Sequence, residues 1–316
     1  MTLDNIKEEI KKADNIVLLT HENPDGDAIG STLSMYLALK QLGKNVDAVI
    51  PEYSRTFAFL PCANEIIKEG KTNSYDLAIA LDCADIKRLN GWANYFEDAK
   101  TTINIDHHGS NNMFADFNFV NPASPACAQI LVTILDYLEV EITKEIGTCL
   151  LTGIITDTGG FKYPGVTAET FEFASWLLGI GVNVSEIYKR VLQVKTRSSF
   201  ELSKIVMDRL EFLEDGKIAY TYITNEDLQK VNAETGDHEG LVDIGRDIEG
   251  VEVSVFLREE NNGIKASLRS NNYLNVSDVC IAFGGGGHPR AAGCTIPGTI
   301  EQVKEKILNQ VKVNLK

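Results

Sequence analysis

The sequence predicts an α/β protein in two parts: an N-terminal parallel sheet with helices on both faces, then a helical linker and a smaller C-terminal α+β domain with a mixed sheet. Three observations carry that expectation. Through the first half, short apolar or β-branched runs alternate with segments of helical spacing. A polar stretch, VKTRSSFE, interrupts a helical pattern near residue 195, and from about residue 217 the chain turns to strands in close succession. The expected boundaries are 1–184, 185–210 for the linker, and 211–316.

In chain order, IVLL (16–19), VDAVI (46–50), LAIAL (77–81) and TINI (102–105) read as strands. Between the first two, Ile29, Leu33, Tyr36, Leu37 and Leu39 recur at helical spacing, and further helical patterns lie near 125–139, 143–155, 168–180 and 185–210. The C-terminal part offers the strands KIAYTYI, VEVSVFLRE and GIKASLRS, with helices near 276–283 and 299–314.

Composition narrows the function class. With 44% hydrophobic and 24% charged residues, the chain has the balance of an ordinary globular protein with a sizeable core. There is no run of eighteen apolar residues and no secretory pattern at the start, so a cytoplasmic protein without membrane contact is expected. The six cysteines lack C-x-x-C spacing and read as reduced thiols. A net charge of −15 argues against a surface for long duplex DNA, since such surfaces are held by many lysine and arginine contacts to phosphate.

The chemistry gathers at strand ends. His21, Asp25 and Asp27 follow the first strand, Asp82 and Asp85 follow LAIAL, Asp106, His107 and His108 follow TINI, and Asp157 ends the run LLTGIIT. In open α/β sheets ligands bind beyond the carboxyl ends of the strands. So many carboxylates at one edge would repel one another unless cations sat among them. Alone, Asp25 and Asp27 read as helix caps; the convergence of three strand ends does not. Imidazole and carboxylate without thiolate argue for manganese or magnesium, with zinc, cobalt and iron less favoured. The number of candidate ligands suits two ions about 3.5 to 4 Å apart. Asp85 reads as a solvated turn carboxylate.

A second constellation is FGGGGHPRAAGC at 283–294. Consecutive glycines leave backbone N–H groups accessible to an anion, and His288 and Arg290 follow directly. The G-K-[ST] ending of a nucleoside-triphosphate loop is missing.

Taken together, HENPDGDAIGS, LDCAD, IDHHGSN, TGIITDTGGF and GGGGHPRAAG resemble the DHH/DHHA1 phosphoesterases, over nearly the whole chain and in order. Within them the chain is most similar to the stand-alone nanoRNase and pAp phosphatase branch, which degrades very short RNA and removes the 3′-phosphate of adenosine 3′,5′-bisphosphate (pAp). The resemblance implies a two-manganese catalytic domain and a substrate-binding domain facing it across a cleft. It places one ion on His21, Asp25 and Asp82 and the other on Asp27, Asp82, His107 and Asp157, with Asp82 as bridge. It gives Asp106 a supporting role and His108 the reacting phosphate, attacked by a metal-activated hydroxide. For the substrate it implies Ser267, Arg269, Gly285, Gly286, Gly287, His288 and Arg290, and it suggests a homodimer. Arg258 and His238 remain open. The competing expectations are a phosphodiesterase of cyclic di-AMP or its linear product pApA, and a nucleotide-binding regulator without catalysis.

Overall fold

The computed structural model describes residues 2–315 apart from residue 73. The chain forms two compact units, Met1–Val194 and Lys195–Lys316. Among the described residues no helix is long and apolar enough to cross a membrane.

The first unit runs α1 (Leu3–Lys12), β1 (Asn15–Leu19), α2 (Gly26–Gln41), β2 (Asn45–Val49), β3 (Leu77–Leu81), α3 (Ala93–Glu97), β4 (Thr101–Asp106), β5 (Phe117–Val120), α4 (Cys127–Tyr137), α5 (Lys144–Asp157), α6 (Ala168–Gly179) and α7 (Val184–Tyr188). Its five strands lie in the order β2-β1-β3-β4-β5, all parallel. Because β2 and β3 flank β1 on opposite sides, the order reverses at β1 and β3, and a crevice opens beyond their carboxyl ends. Continuing the registers Leu19↔Ala80 and Leu81↔Ile105 by one or two residues puts His21, Asp82 and Asp106 in one row at that crevice.

Both faces of the sheet are covered. Alternation sends Ile16, Leu18, Ile79 and Ile103 to one face, packed with Met35, Leu39, Leu131 and Leu150 of the large helices. Val17, Leu19, Ala78 and Ala80 face the other way, onto Leu89 and Phe96. The strand β5 was not expected: FNFV is four residues long, half-buried throughout, and pairs only with β4, so no apolar run announces it.

Helices α2 and α5 approach backbone to backbone. A Cβ at Gly30 would lie 2.5 Å from the carbonyl oxygen of Cys149. Replacing Gly30 by alanine is therefore expected to lower stability by about 1 to 3 kcal/mol through overpacking against a main chain that cannot rotate away. The urea midpoint measures it, and an unchanged midpoint would show that the helices separate freely.

The second unit runs α8 (Arg197–Asp208), β6 (Glu211–Leu213), β7 (Ile218–Ile223), α9 (Asn225–Lys230), α10 (Leu241–Arg246), β8 (Val253–Glu260), β9 (Gly263–Ser270), α11 (Val276–Ile281), β10 (Gly286–His288), β11 (Ala291–Ile296) and α12 (Ile300–Asn314). Its sheet has the order β10-β11-β9-β8-β7-β6 and is mixed, since only β7 and β8 are parallel. One face is a core of Val253, Val255, Leu257, Ala266 and Leu268 under Val279, Val303 and Ile307 of α11 and α12. On the other face Phe256 packs with Leu202 and Val206 of α8 and Leu241 and Val242 of α10. Along β9 the alternate positions Lys265, Ser267 and Arg269 stay half-buried. The helices α9 and α10 escape a periodicity reading because each has only six residues.

The expected helical connector is two helical pieces. Residues Lys189–Gln193 continue α7 as one π-turn, Val194 leaves helical geometry at φ −79°, ψ 118°, and Thr196 caps α8 by accepting from the Ser199 N–H at 2.9 Å. All six cysteines are free thiols, five of them buried.

Candidate metal centre

Each strand end delivers its residue by a local device. Asp25 caps α2, its Oδ1 accepting from the N–H groups of Asp27 and Ala28, both at 3.1 Å. That leaves Asp27 inside the first turn, where its carboxylate accepts from the N–H groups of Cys127 at 2.6 Å and Ala128 at 2.9 Å at the start of α4. Asp82 sits just past β3 with φ 53°, in the left-handed region, and donates its N–H to Ile105 at 3.0 Å. His107 follows β4, its Nδ1 lying 3.2 Å from the Ser124 carbonyl, and that contact leaves Nε2 for the crevice. Asp157 is the last residue of α5.

These groups converge. His107 Nε2 lies 3.3 Å from Asp157 Oδ2, 3.4 Å from Asp82 Oδ1 and 3.8 Å from Asp27 Oδ2. His21 Nε2 lies 3.8 Å from Asp82 Oδ2. Two ligand-like triplets, His21–Asp25–Asp82 and Asp27–Asp82–His107, each have donor atoms within 4.8 Å of one another and share Asp82, and a third, Asp82–Asp106–His108, meets the same limit. Apart from Asp25 and Asp157 these side chains are 4% exposed or less, so water does little to screen their charges.

The protonation pattern shows what the cluster lacks. Burial, reinforced by Asp82, pushes Asp27 up to about 7. Burial also drives Asp157 well above the carboxylate range, although the His107 charge opposes it. Asp82 goes the other way: burial is outweighed by the contacts with His107 and His108, which hold it far below its ordinary value. His107 is raised well above the ordinary imidazole value, burial being overcome by Asp82, Asp157 and Asp27. Burial lowers His21 to about 4, and the largest charge acting with it is Arg88. Carboxylic acids and an imidazolium at neutral pH are the mark of a cluster short of positive charge. Asp82 Oδ1 is moreover buried without a hydrogen bond of normal geometry. Hard divalent cations fit this donor set of carboxylates and imidazoles, and taking them up would release the protons now held there.

Asp106 belongs to the third triplet, with Asp82 and His108. Its Oδ1 is 2.7 Å from His108 Nδ1, and its Oδ2 accepts from Asn111 Nδ2 at 2.6 Å. Burial raises Asp106, but the His108 contact prevails and its value falls; His108 rises in return, against its own burial. This is the geometry of a carboxylate that fixes the ring of its neighbour. Asn111, the last residue of IDHHGSN, was not singled out by sequence, though its place in that motif was available as a signal. Asp85, read as a solvated turn, caps the following 3₁₀ segment by accepting from the Lys87 N–H at 2.9 Å.

In the second unit the substrate candidates share a face of the sheet. Register pairs Arg258 with Lys265, Phe256 with Ser267 and Ser254 with Arg269 across β8 and β9. Arg269 Nε lies 3.5 Å from Asp243 Oδ1. Lys265 joins them: its Cε would lie 3.4 Å from a Cβ at Gly293, so it covers that glycine. A lysine on a strand looks like a solvated position, and only its two-residue spacing from Ser267 and Arg269 pointed to this face. The glycine run is a hairpin: Gly286 and His288 pair with Gly293 and Ala291. A Cβ at Gly285 would meet the Gly293 carbonyl oxygen at 2.3 Å, and Gly287 has φ 144°, whereas Gly286 has open space. Close backbone packing, and not only access for an anion, requires glycine at 285 and 287. Arg290 departs from the expectation that it faces substrate. Its guanidinium donates to the carbonyls of Leu274 at 2.9 Å and Asn272, and so holds the hairpin.

His238 lies beside Arg258, and burial followed by that charge lowers it to about 4. Between pH 4 and about 6.5 the unfolded chain therefore binds the proton that the folded chain refuses, so this residue's contribution to stability falls as pH drops through that window. Allowing for partial exposure, His238→Gln is expected to recover on the order of 2 kcal/mol at pH 4.5 relative to pH 7. Urea midpoints of both proteins at both pH values test this; parallel pH curves would exclude it.

Fold and site together define a crevice at the edge of a parallel sheet built for divalent cations, followed by a separate sheet domain with a basic face. The N-terminal domain model of the DHH family matches residues 15–154, and that of the DHHA1 domain matches residues 215–316. The bifunctional oligoribonuclease and PAP phosphatase NrnA of Thermus thermophilus is 37% identical over 95% of this chain and 90% of its own. The NrnA of Bacillus subtilis is 27% identical over 90% of each. A crystal structure of an exopolyphosphatase-related protein from Bacteroides fragilis superimposes with a TM-score of 0.89 at 28% identity, covering 98% of this chain and 95% of that one. The chain belongs to the DHH family of phosphoesterases.

Proposed function

We propose that the protein hydrolyses short RNA oligonucleotides and the 3′-phosphate of pAp, using two divalent cations, manganese in the first place, in the cytoplasm. The observation that carries the proposal is the sharing of one buried carboxylate, Asp82, by two ligand triplets. The Thermus thermophilus and Bacillus subtilis relatives, named for these two activities, supply the substrates. His21, Asp25 and Asp82 would hold one ion, and Asp27, Asp82, His107 and Asp157 the other. Cations bound there acidify a coordinated water and neutralise charge on phosphoryl oxygens.

The chain's own groups do the rest. Asp106 holds the His108 ring through Nδ1, leaving Nε2 to donate a proton to the departing oxygen or a hydrogen bond to the phosphate. Residues 1–184 serve as the catalytic domain, 185–210 as the connection and 211–316 as the substrate-binding domain. There Ser267, Arg269, Gly285, Gly286, Gly287 and His288 hold the nucleotide end away from the reacting bond, with Arg290 stiffening the hairpin beneath them.

Length preference follows from charge. Each added nucleotide brings another phosphate, and a chain of net charge −15 offers little to meet it beyond a few residues such as Lys265 and Arg269. Catalytic efficiency should be highest at about two to four nucleotides, or for pAp, and fall as RNA lengthens. The test is kcat/KM with manganese at fixed salt across pAp, pApA, cyclic di-AMP and a length series of single-stranded RNA. A flat or rising series out to about twenty nucleotides would contradict the reading, and cleavage of cyclic di-AMP alone would replace it.

A further inference from the structure

Arg88 is absent from every motif discussed above, yet the fold brings it to the same crevice. It lies in the 3₁₀ segment Ile86–Trp92 that follows Asp82 and β3. The segment is fastened on three sides. The Arg88 carbonyl accepts from the N–H of Glu22, the residue after His21, at 2.8 Å. Asn90 Nδ2 donates to Glu22 Oε2 at 2.6 Å, and Leu89 is buried in the core beneath. The backbone carrying Arg88 is thus tied to the loop carrying His21.

The guanidinium itself is half-buried and has no hydrogen-bond or ion-pair partner among the described residues. This stands out in a chain where fifteen more acidic than basic groups are available for pairing. Five donors on a side chain anchored beside the His21 loop and left without a carboxylate suit an incoming anion with several oxygens. Arg88 has a planar fork matched to phosphate, and the backbone that carries it is held by Glu22 and the buried Leu89.

We propose that Arg88 binds non-bridging oxygens of the reacting phosphate and thereby favours phosphomonoesters over phosphodiesters. The reason is charge: a terminal phosphate carries about −1.5 to −2 at neutral pH and a diester −1, so a fixed cation gains more from the first. Arg88 would therefore set the balance between the two proposed activities, removal of the pAp 3′-phosphate and cleavage of short RNA. The inference rests on the function proposed above, and its test has an arm that does not require turnover.

The experiment compares the wild type with Arg88→Gln and Arg88→Lys, each checked for unchanged manganese content and thermal midpoint. In Arg88→Gln, kcat/KM for pAp is expected to fall roughly thirtyfold, and that for a dinucleotide at least about fivefold less than this, while Arg88→Lys recovers most of the ratio. In parallel, calorimetry on the manganese-loaded proteins measures binding of inorganic phosphate and of dimethyl phosphate. Arg88→Gln should weaken the first about tenfold and the second much less. Equal losses on the monoester and diester, or none, overturn the inference. Should the wild type hydrolyse neither nucleotide, the functional reading fails, and the two binding measurements still decide the role of Arg88.

Discussion

Asp82→Ala is expected to lose at least about 4 kcal/mol of transition-state stabilisation, or roughly a thousandfold in rate, together with the binding of both cations. Asp82 belongs to all three triplets of the first unit and is buried at the end of the central strand β3, with His107 Nε2 3.4 Å from its Oδ1 and His21 Nε2 3.8 Å from its Oδ2. No neighbouring carboxylate can take its place, because Asp25 and Asp27 are fixed by their contacts with the starts of α2 and α4. The backbone needs a control. At φ 53° an alanine is strained, whereas asparagine tolerates the left-handed region, so Asp82→Asn removes the charge and keeps the turn. Both variants should fold and bind less than one equivalent of manganese, against the two proposed for the wild type. A folded Asp82→Asn protein with near-normal turnover at saturating manganese would remove Asp82 from the centre.

The second large effect separates proton chemistry from metal binding. His108→Ala should lower kcat about a hundred- to ten-thousandfold while both cations stay in place, because its Nδ1 is 2.7 Å from Asp106 and neither proposed ligand set uses it, although Asp82 is also within reach. Asp106→Asn should lose part of the same activity, since an amide has one acceptor oxygen for the two partners, His108 Nδ1 and Asn111 Nδ2, that the carboxylate serves, and it removes the negative charge beside the ring. The double variant should then be little worse than His108→Ala alone, because the two residues act as one device. Metal analysis and single-turnover rates on the three proteins give the answer. Loss of manganese in His108→Ala, in proportion to activity, would make His108 a ligand instead.

Much of the first unit was legible because burial on both faces of a parallel sheet writes itself as short apolar runs, and LAIAL and TINI could hardly be anything else. The edge strand β5 and the short helices α9 and α10 were not legible. Each is too short or too little buried to write a pattern of its own, and Phe117 to Val120 are held by pairing with β4. The connector broke at Val194 for a local reason, the Thr196 cap, which an uninterrupted periodicity conceals.

At the site the division is similar. By itself the sequence determined the kinds of ligand and their arrival at the ends of β1, β3 and β4, because a strand's end is announced by the change from apolar to polar residues. It also determined the family, through five motifs in order. Only the tertiary structure decided which side chains meet. It joined Asp82 to two separate triplets, gave the Asp106 carboxylate to His108 and Asn111, and turned Arg290 onto the Asn272 and Leu274 carbonyls. It also tied the backbone of Arg88 to the loop of His21. The physical reason is that electrostatic and hydrogen-bond roles depend on distances of a few ångströms between residues far apart in the chain. Strand register, helix packing and the Glu22 to Arg88 hydrogen bond set those distances, and no spacing along the sequence encodes them.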